Sequence, residues 1–132
     1  MSRLERAYRV TTYAAGPLRL RIGEPNAALD ELLARHGAAT WAYLTAWNPG
    51  SVPRGETENR AAARRLLDRL AGYPCIEGES VGDGGAWREP SVLVLGIRRD
   101  EALAIARDFG QLAFVVGERG GAPRLVWSHA NP

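Results

Sequence analysis

A chain of 132 residues suits one domain with an ordinary core, and 45% hydrophobic against 24% charged residues excludes an intrinsically disordered protein. No apolar run approaches the roughly 20 residues of a membrane-spanning helix, and the start Met-Ser-Arg-Leu-Glu-Arg lacks a signal peptide's apolar stretch, so a cytoplasmic protein without membrane contact is expected. All 17 basic side chains are arginine, yet the formal net charge is only +2, which argues against nucleic acid as the partner and for a coding sequence rich in G and C.

Tyr8 to Tyr13 and Leu18 to Ile22 are β-prone runs joined by Ala14-Ala15-Gly16-Pro17, which predicts a hairpin. Pro25 suits the first turn of a helix whose Leu29, Leu32, Leu33 and His36 share a face, with Gly37 as its stop. Thr40 to Trp47 alternates Trp41, Tyr43, Thr45 and Trp47 with Thr40, Ala42, Leu44 and Ala46, the pattern of a strand covered on both faces. A helix follows from about Glu56 to Ala71, with Ala63, Leu66, Leu67 and Leu70 as its apolar stripe and Gly72 and Pro74 beyond its end. Cys75 to Val81 and Ser91 to Ile97 read as strands around the turn Gly82-Asp83-Gly84-Gly85. Asp100 to Phe109 is a short helix, Gln111 to Val116 a strand, and Pro123 to Trp127 a last strand. No repeat or linker divides the chain, which reads as a single domain, residues 1–132.

From Thr40 to Gly117 the order is strand, helix, strand, strand, helix, strand, the ferredoxin-like βαββαβ arrangement of an α+β protein. The sheet is expected to be mixed and largely antiparallel, with Thr40 to Trp47 and Ser91 to Ile97 as parallel central neighbours and Gln111 to Val116 antiparallel beside the first. The N-terminal hairpin and helix and the C-terminal strand are additions to this core.

That topology brings the end of the Thr45 strand beside the start of the Gln111 strand, where both helices also begin. Thr45, Asn48, Asn59 and Gln111 then converge. Asn59 falls on the stripe of Ala63, Leu66 and Leu70, so its amide faces inward and needs partners, with Asn48 and Gln111 the candidates. Asn48-Pro49-Gly50 also reads as a plain turn, with Asn48 extended before the proline, and the amides as ties from that turn to the helix. The functional alternative makes them the polar floor of a site for a small polar ligand or a protein partner. An enzyme at this edge needs a carboxylate beside the amides, because amides do not exchange protons near neutral pH; Glu56, Glu58 and Glu89 are the candidates.

Thr45-Ala46-Trp47-Asn48-Pro49, Glu58-Asn59, Trp87-Arg88-Glu89-Pro90-Ser91 and Phe109-Gly110-Gln111-Leu112-Ala113 together resemble the bacterial domain-of-unknown-function family DUF3293 over about Tyr13 to Trp127. The resemblance implies a small intracellular bacterial α/β protein and carries no reaction, ligand or catalytic residue with it.

Other chemistry is poorly supplied. The single cysteine, Cys75, agrees with a reducing compartment and has no histidine near it in sequence, His129 being the fourth residue from the end. Glu77, Glu79, Asp83 and Glu89 cluster around one hairpin but read as a solvated acidic edge, and no His/Cys spacing suggests zinc. No phosphate-binding loop is present, so no cofactor is expected. Trp41, Tyr43 and Trp47 form an aromatic stripe, but Ser91 to Ile97 carries no aromatic to extend it into an RNA-binding sheet, so the stripe reads as core.

Overall fold

Two hydrophobic layers on opposite faces of one sheet organise the structure, a computed structural model that describes residues 1–129. The strands are β1 (Thr12–Ala15), β2 (Leu18–Leu20), β3 (Thr40–Leu44), β4 (Cys75–Val81), β5 (Arg88–Leu95), β6 (Ala113–Glu118) and β7 (Arg124–Trp127). They form one seven-stranded sheet in the order β2-β1-β4-β5-β3-β6-β7. The helices are α1 (Arg3–Val10), α2 (Ala27–Arg35), α3 (Glu56–Arg69) and α4 (Arg99–Asp108), which makes the protein α+β.

Alternation along β3 supplies both layers. Ala42 and Leu44 join Val92, Val94, Phe114 and Val116 under Leu66 and Leu70 at the α3 end and Ile105 and Ala106 of α4. Trp41 and Tyr43 face the other way and pack with Leu93, Leu95, Leu29 and Leu33, so α2 and the β1–β2 hairpin cover the aromatic stripe. Gly117 is required there, because a Cβ would sit 2.6 Å from the Trp41 ring.

Every strand pair is antiparallel, which corrects the mixed sheet and the parallel pair at its centre. Trp41 pairs with Leu95 and Leu44 with Val92 in opposed directions. The reason is directional: the helical connection through α3 makes β4 run the same way as β3, and the β4–β5 hairpin then reverses the chain. β6 lies antiparallel on the other side of β3, as expected.

The largest local correction is at the N-terminus, where Tyr8 to Val10 end a helix and only Thr12–Ala15 is strand. Ser2-Arg3-Leu4-Glu5 has the Ser-x-x-Glu spacing of a helix start, and Ser2 Oγ accepts from the Glu5 N–H at 3.1 Å. Likewise Asn26, and not Pro25, opens α2, its Oδ1 accepting from the Leu29 N–H at 3.0 Å. Ala62 takes the buried place on α3 expected of Ala63. β5 begins three residues earlier than expected, at Arg88, and β6 two later, at Ala113.

β3 stops at Leu44, short of the expected Trp47. Thr45 Oγ1 donates to the Pro90 carbonyl at 2.8 Å and accepts from the Trp47 N–H at 3.1 Å, turning the chain where Pro90 offers no N–H to continue the ladder. Asn48 is left-handed at φ 46°, not extended, and Ser51 has φ 61°. Positive φ at residues other than glycine is strained, and among the described residues it occurs only in this turn.

Candidate functional site

The strained turn is held by a reciprocal amide pair. The Asn48 N–H donates to Asn59 Oδ1 at 2.9 Å, and Asn59 Nδ2 donates to Asn48 Oδ1 at 2.8 Å. Asn48 Oδ1 also accepts from the Arg54 N–H at 3.0 Å, and Asn59 Oδ1 from Arg54 Nε at 3.3 Å. Asn59, 1% exposed in the first turns of α3, therefore ties the whole loop to its helix. Gln111 sits on the opposite side of the turn, its Nε2 donating to the carbonyls of Trp47 at 3.2 Å and Phe109 at 3.3 Å. Gly110 lets this segment close on the turn: its carbonyl accepts from the Gly50 N–H at 2.7 Å, and its φ is 69°.

The sheet face that holds Tyr13, Tyr43 and Val115 continues into a cavity of about 510 Å³. Leu4, Ala7 and Tyr8 of α1 line one side of it; the strand face and the Asn48 turn line the other. Asn48, Glu89 and Gln111 contribute polar groups to the wall, with Ser51 and Ser80. Trp47, Trp87, Tyr13, Tyr43 and Phe114 add aromatic surface. α1 buries none of its residues and is held at its last turn, where Tyr13 Oη donates to the Tyr8 carbonyl at 2.7 Å and the Tyr8 ring meets Trp127 edge-on at 5.9 Å.

Glu89 is the chemically unusual group in this cavity. Strand alternation turns Arg88 outward and Glu89 inward, to 8% exposure. Burial pushes its carboxyl up to about 7, against which hydrogen bonds from the Asn48 and Trp87 side chains favour the charge. Because Asn48 Oδ1 is occupied by Asn59 and Arg54, its Nδ2 is the donor that faces Glu89. Tyr8 is pushed up to about 12 by burial and then by the Glu89 charge, while a hydrogen bond with Ser51 opposes the rise. Burial also raises Tyr13 and Tyr43 above the ordinary phenol range.

Of the residues nominated from sequence, Asn48, Asn59 and Gln111 gather around the turn, and Asn48 and Gln111 reach the cavity with Thr45 and Glu89. Asn59 lies behind Asn48 and does not line the cavity. Glu58 and Glu56 are exposed on α3, Glu56 lying 3.7 Å from Arg60, and neither lines the cavity. Tyr8 and Ser51 were missed; the Ser2-x-x-Glu5 spacing was the signal that could have moved Tyr8 onto a helix. Behind the amide pair a second cleft of about 610 Å³ is lined by Arg54, Arg65, Arg69 and Asp108. Among the described residues no three His, Cys, Asp or Glu side chains gather as a metal site, and no helix is long and apolar enough to cross a membrane.

Fold and cavity together define a small α+β protein with an acidic, aromatic-walled cavity beneath its N-terminal helix. The chain belongs to the family described as Protein of unknown function (DUF3293), whose model matches residues 44–114. That stretch runs from the end of β3 to the start of β6 and contains Asn48, Asn59, Glu89 and Gln111. Neither a curated protein nor a solved structure gave a match.

Proposed function

We propose that this protein is a small-ligand-binding module whose site is the cavity beneath α1, with the Asn48–Gln111 edge as its polar end. The observation that carries the reading is a cavity of about 510 Å³, the size range of ligand pockets, in which a few polar groups converge on an otherwise apolar and aromatic wall. The reciprocal Asn48–Asn59 pair fits this role as the support that sets the direction of Asn48. Support for a ferredoxin-like core comes from the strand order β4-β5-β3-β6, with α3 and α4 sharing one face. A bacterial cytoplasmic setting is part of the same proposal, drawing on the lone thiol of Cys75 and the arginine-only basic composition.

Glu89 favours a second reading, in which the cavity is an active site and this carboxyl is its general acid or base. A carboxyl that titrates near 7 is poised for proton transfer at neutral pH. Nucleic-acid binding has less support, since Arg69 and Arg88 are engaged with Asp108 and Glu79.

The test is a thermal-shift screen against metabolites, nucleotides and short nucleic acids, repeated with Gln111→Leu and with Ala7→Trp at the cavity wall. Ligand at about 100 times its dissociation constant adds about 2.7 kcal/mol. Hits that both variants lose support the cavity as the site, whereas hits that both retain place binding elsewhere.

A further inference from the structure

We infer that the cavity's ligand is cationic at its polar end, a protonated amine on an aromatic or alkyl body, with Glu89 as its counter-ion. The inference rests on the reading of the cavity as a ligand site.

A carboxylate removed from water ordinarily has an arginine or lysine beside it, because burial of an unpaired charge is costly. Glu89 is 8% exposed, and among the described residues it has no ion pair with a basic group. Its polar contacts are the neutral side chains of Asn48 and Trp87. The whole cavity wall repeats the pattern: it includes no arginine and no histidine, in a chain with 17 arginines, while Asp83 adds a second carboxylate. An anionic ligand would meet a negative wall with no cation to offset it. A neutral ligand would leave Glu89 either protonated or without a counter-charge. A cation would complete the site, since the carboxylate supplies the opposite charge and Trp87 and Tyr43 in the wall supply π surface of the kind on which ammonium groups bind, the Trp47 ring already carrying the Arg60 guanidinium at 5.3 Å. Gln111, Phe114 and the α1 side chains Leu4, Ala7 and Tyr8 complete the wall around such a ligand.

The groups that face Glu89 are Tyr8 from α1, Asn48 from the turn and Trp87, which precedes its strand; Ser80 is its cross-strand neighbour on β4, and the exposed Asp83 of the preceding turn lines the same cavity. None of them carries a positive charge, so amine binding draws on the ionised form of Glu89 and releases the proton that burial favours.

Titration calorimetry at about pH 8, where alkylamines and carboxylates are both charged, compares 2-phenylethylamine, 2-phenylethanol and 3-phenylpropionate on the full chain. The expected result is binding of the amine at least about tenfold tighter than of the alcohol, with the propionate weakest. Glu89→Gln should bring amine and alcohol within about threefold of each other. In the wild type, amine affinity should rise between about pH 6 and 8 and alcohol affinity stay level, a readout that does not depend on the variant folding. Alcohol or propionate binding as tightly as the amine overturns the cationic assignment and leaves the cavity as a ligand site. Silence from all three compounds overturns the assignment together with the ligand-site reading.

Discussion

Asn48 and Asn59, eleven residues apart, exchange hydrogen bonds of 2.9 and 2.8 Å, and this exchange holds Asn48 in a left-handed conformation immediately before a proline. A residue at that position is pushed toward extended backbone by the proline ring, so the tertiary contacts oppose a local preference. Local strain that persists under such support is characteristic of functional turns, and here it aims the remaining donor of Asn48 at Glu89.

Removing the Asn59 side chain strands the Asn48 N–H and leaves Asn48 Oδ1 with the Arg54 N–H as its donor, in a region that is 1% exposed at Asn59 itself. Asn59→Ala should cost about 1 to 3 kcal/mol of folding stability, measured by chemical denaturation. An unchanged midpoint would show that the pair does not hold the turn.

Glu89 predicts a pH dependence with a definite sign. Its folded-state value of about 7 lies above the ordinary 4.5, so between these values the folded protein retains a proton that the unfolded chain gives up. Stability should therefore decline as pH rises from about 4.5 to 7 and be level in this contribution above that window. Glu89→Gln should remove the decline and be more stable than wild type at pH 8 by about 1 to 3 kcal/mol, allowing for water in the cavity. The decisive measurement is the difference between the two unfolding free energies across pH 4.5 to 8; a constant difference would exclude the raised carboxyl.

Gly110 faces two constraints at once, a φ of 69° and a Pro49 Cβ that would lie 2.8 Å from any added Cβ. Gly84 has φ 81° but open space around it. Gly84→Ala should cost about 1 kcal/mol from backbone conformation alone, and Gly110→Ala about 2 to 3 kcal/mol through the added displacement of Pro49. Equal losses in thermal unfolding would show that the turn yields freely.

Tyr13 Oη donates to the Tyr8 carbonyl at 2.7 Å and thereby fastens α1, a helix without a buried residue, over the cavity. Tyr13→Phe should cost about 0.5 to 1.5 kcal/mol and speed amide exchange selectively in α1. Exchange that accelerates equally in α3 would mean that the phenol stabilises the fold as a whole.

The strand alternation of β3, the stripe of α3 that turns Asn59 inward and the glycine stops after α2 and α4 are legible in the sequence, because each depends on periodicity or backbone freedom within a few neighbouring residues. The assignment of Tyr8 to Val10 as strand failed for a local reason: the capping pair Ser2 and Glu5 outweighed the β-prone residues that follow. The early end of β3 and the encounter of Asn48 with Glu89 had no local signal. The first depends on the Pro90 carbonyl forty-five residues away from Thr45, and the second on strand register that turns Glu89 toward the same face as Tyr43. Short-range pattern alone determined which segments became helices and strands across most of the chain. The antiparallel order of the sheet, the cover supplied by α1 and the unpaired carboxylate in the cavity were decided by tertiary packing, since burial and the pKa shift it causes exist only when distant segments exclude water together.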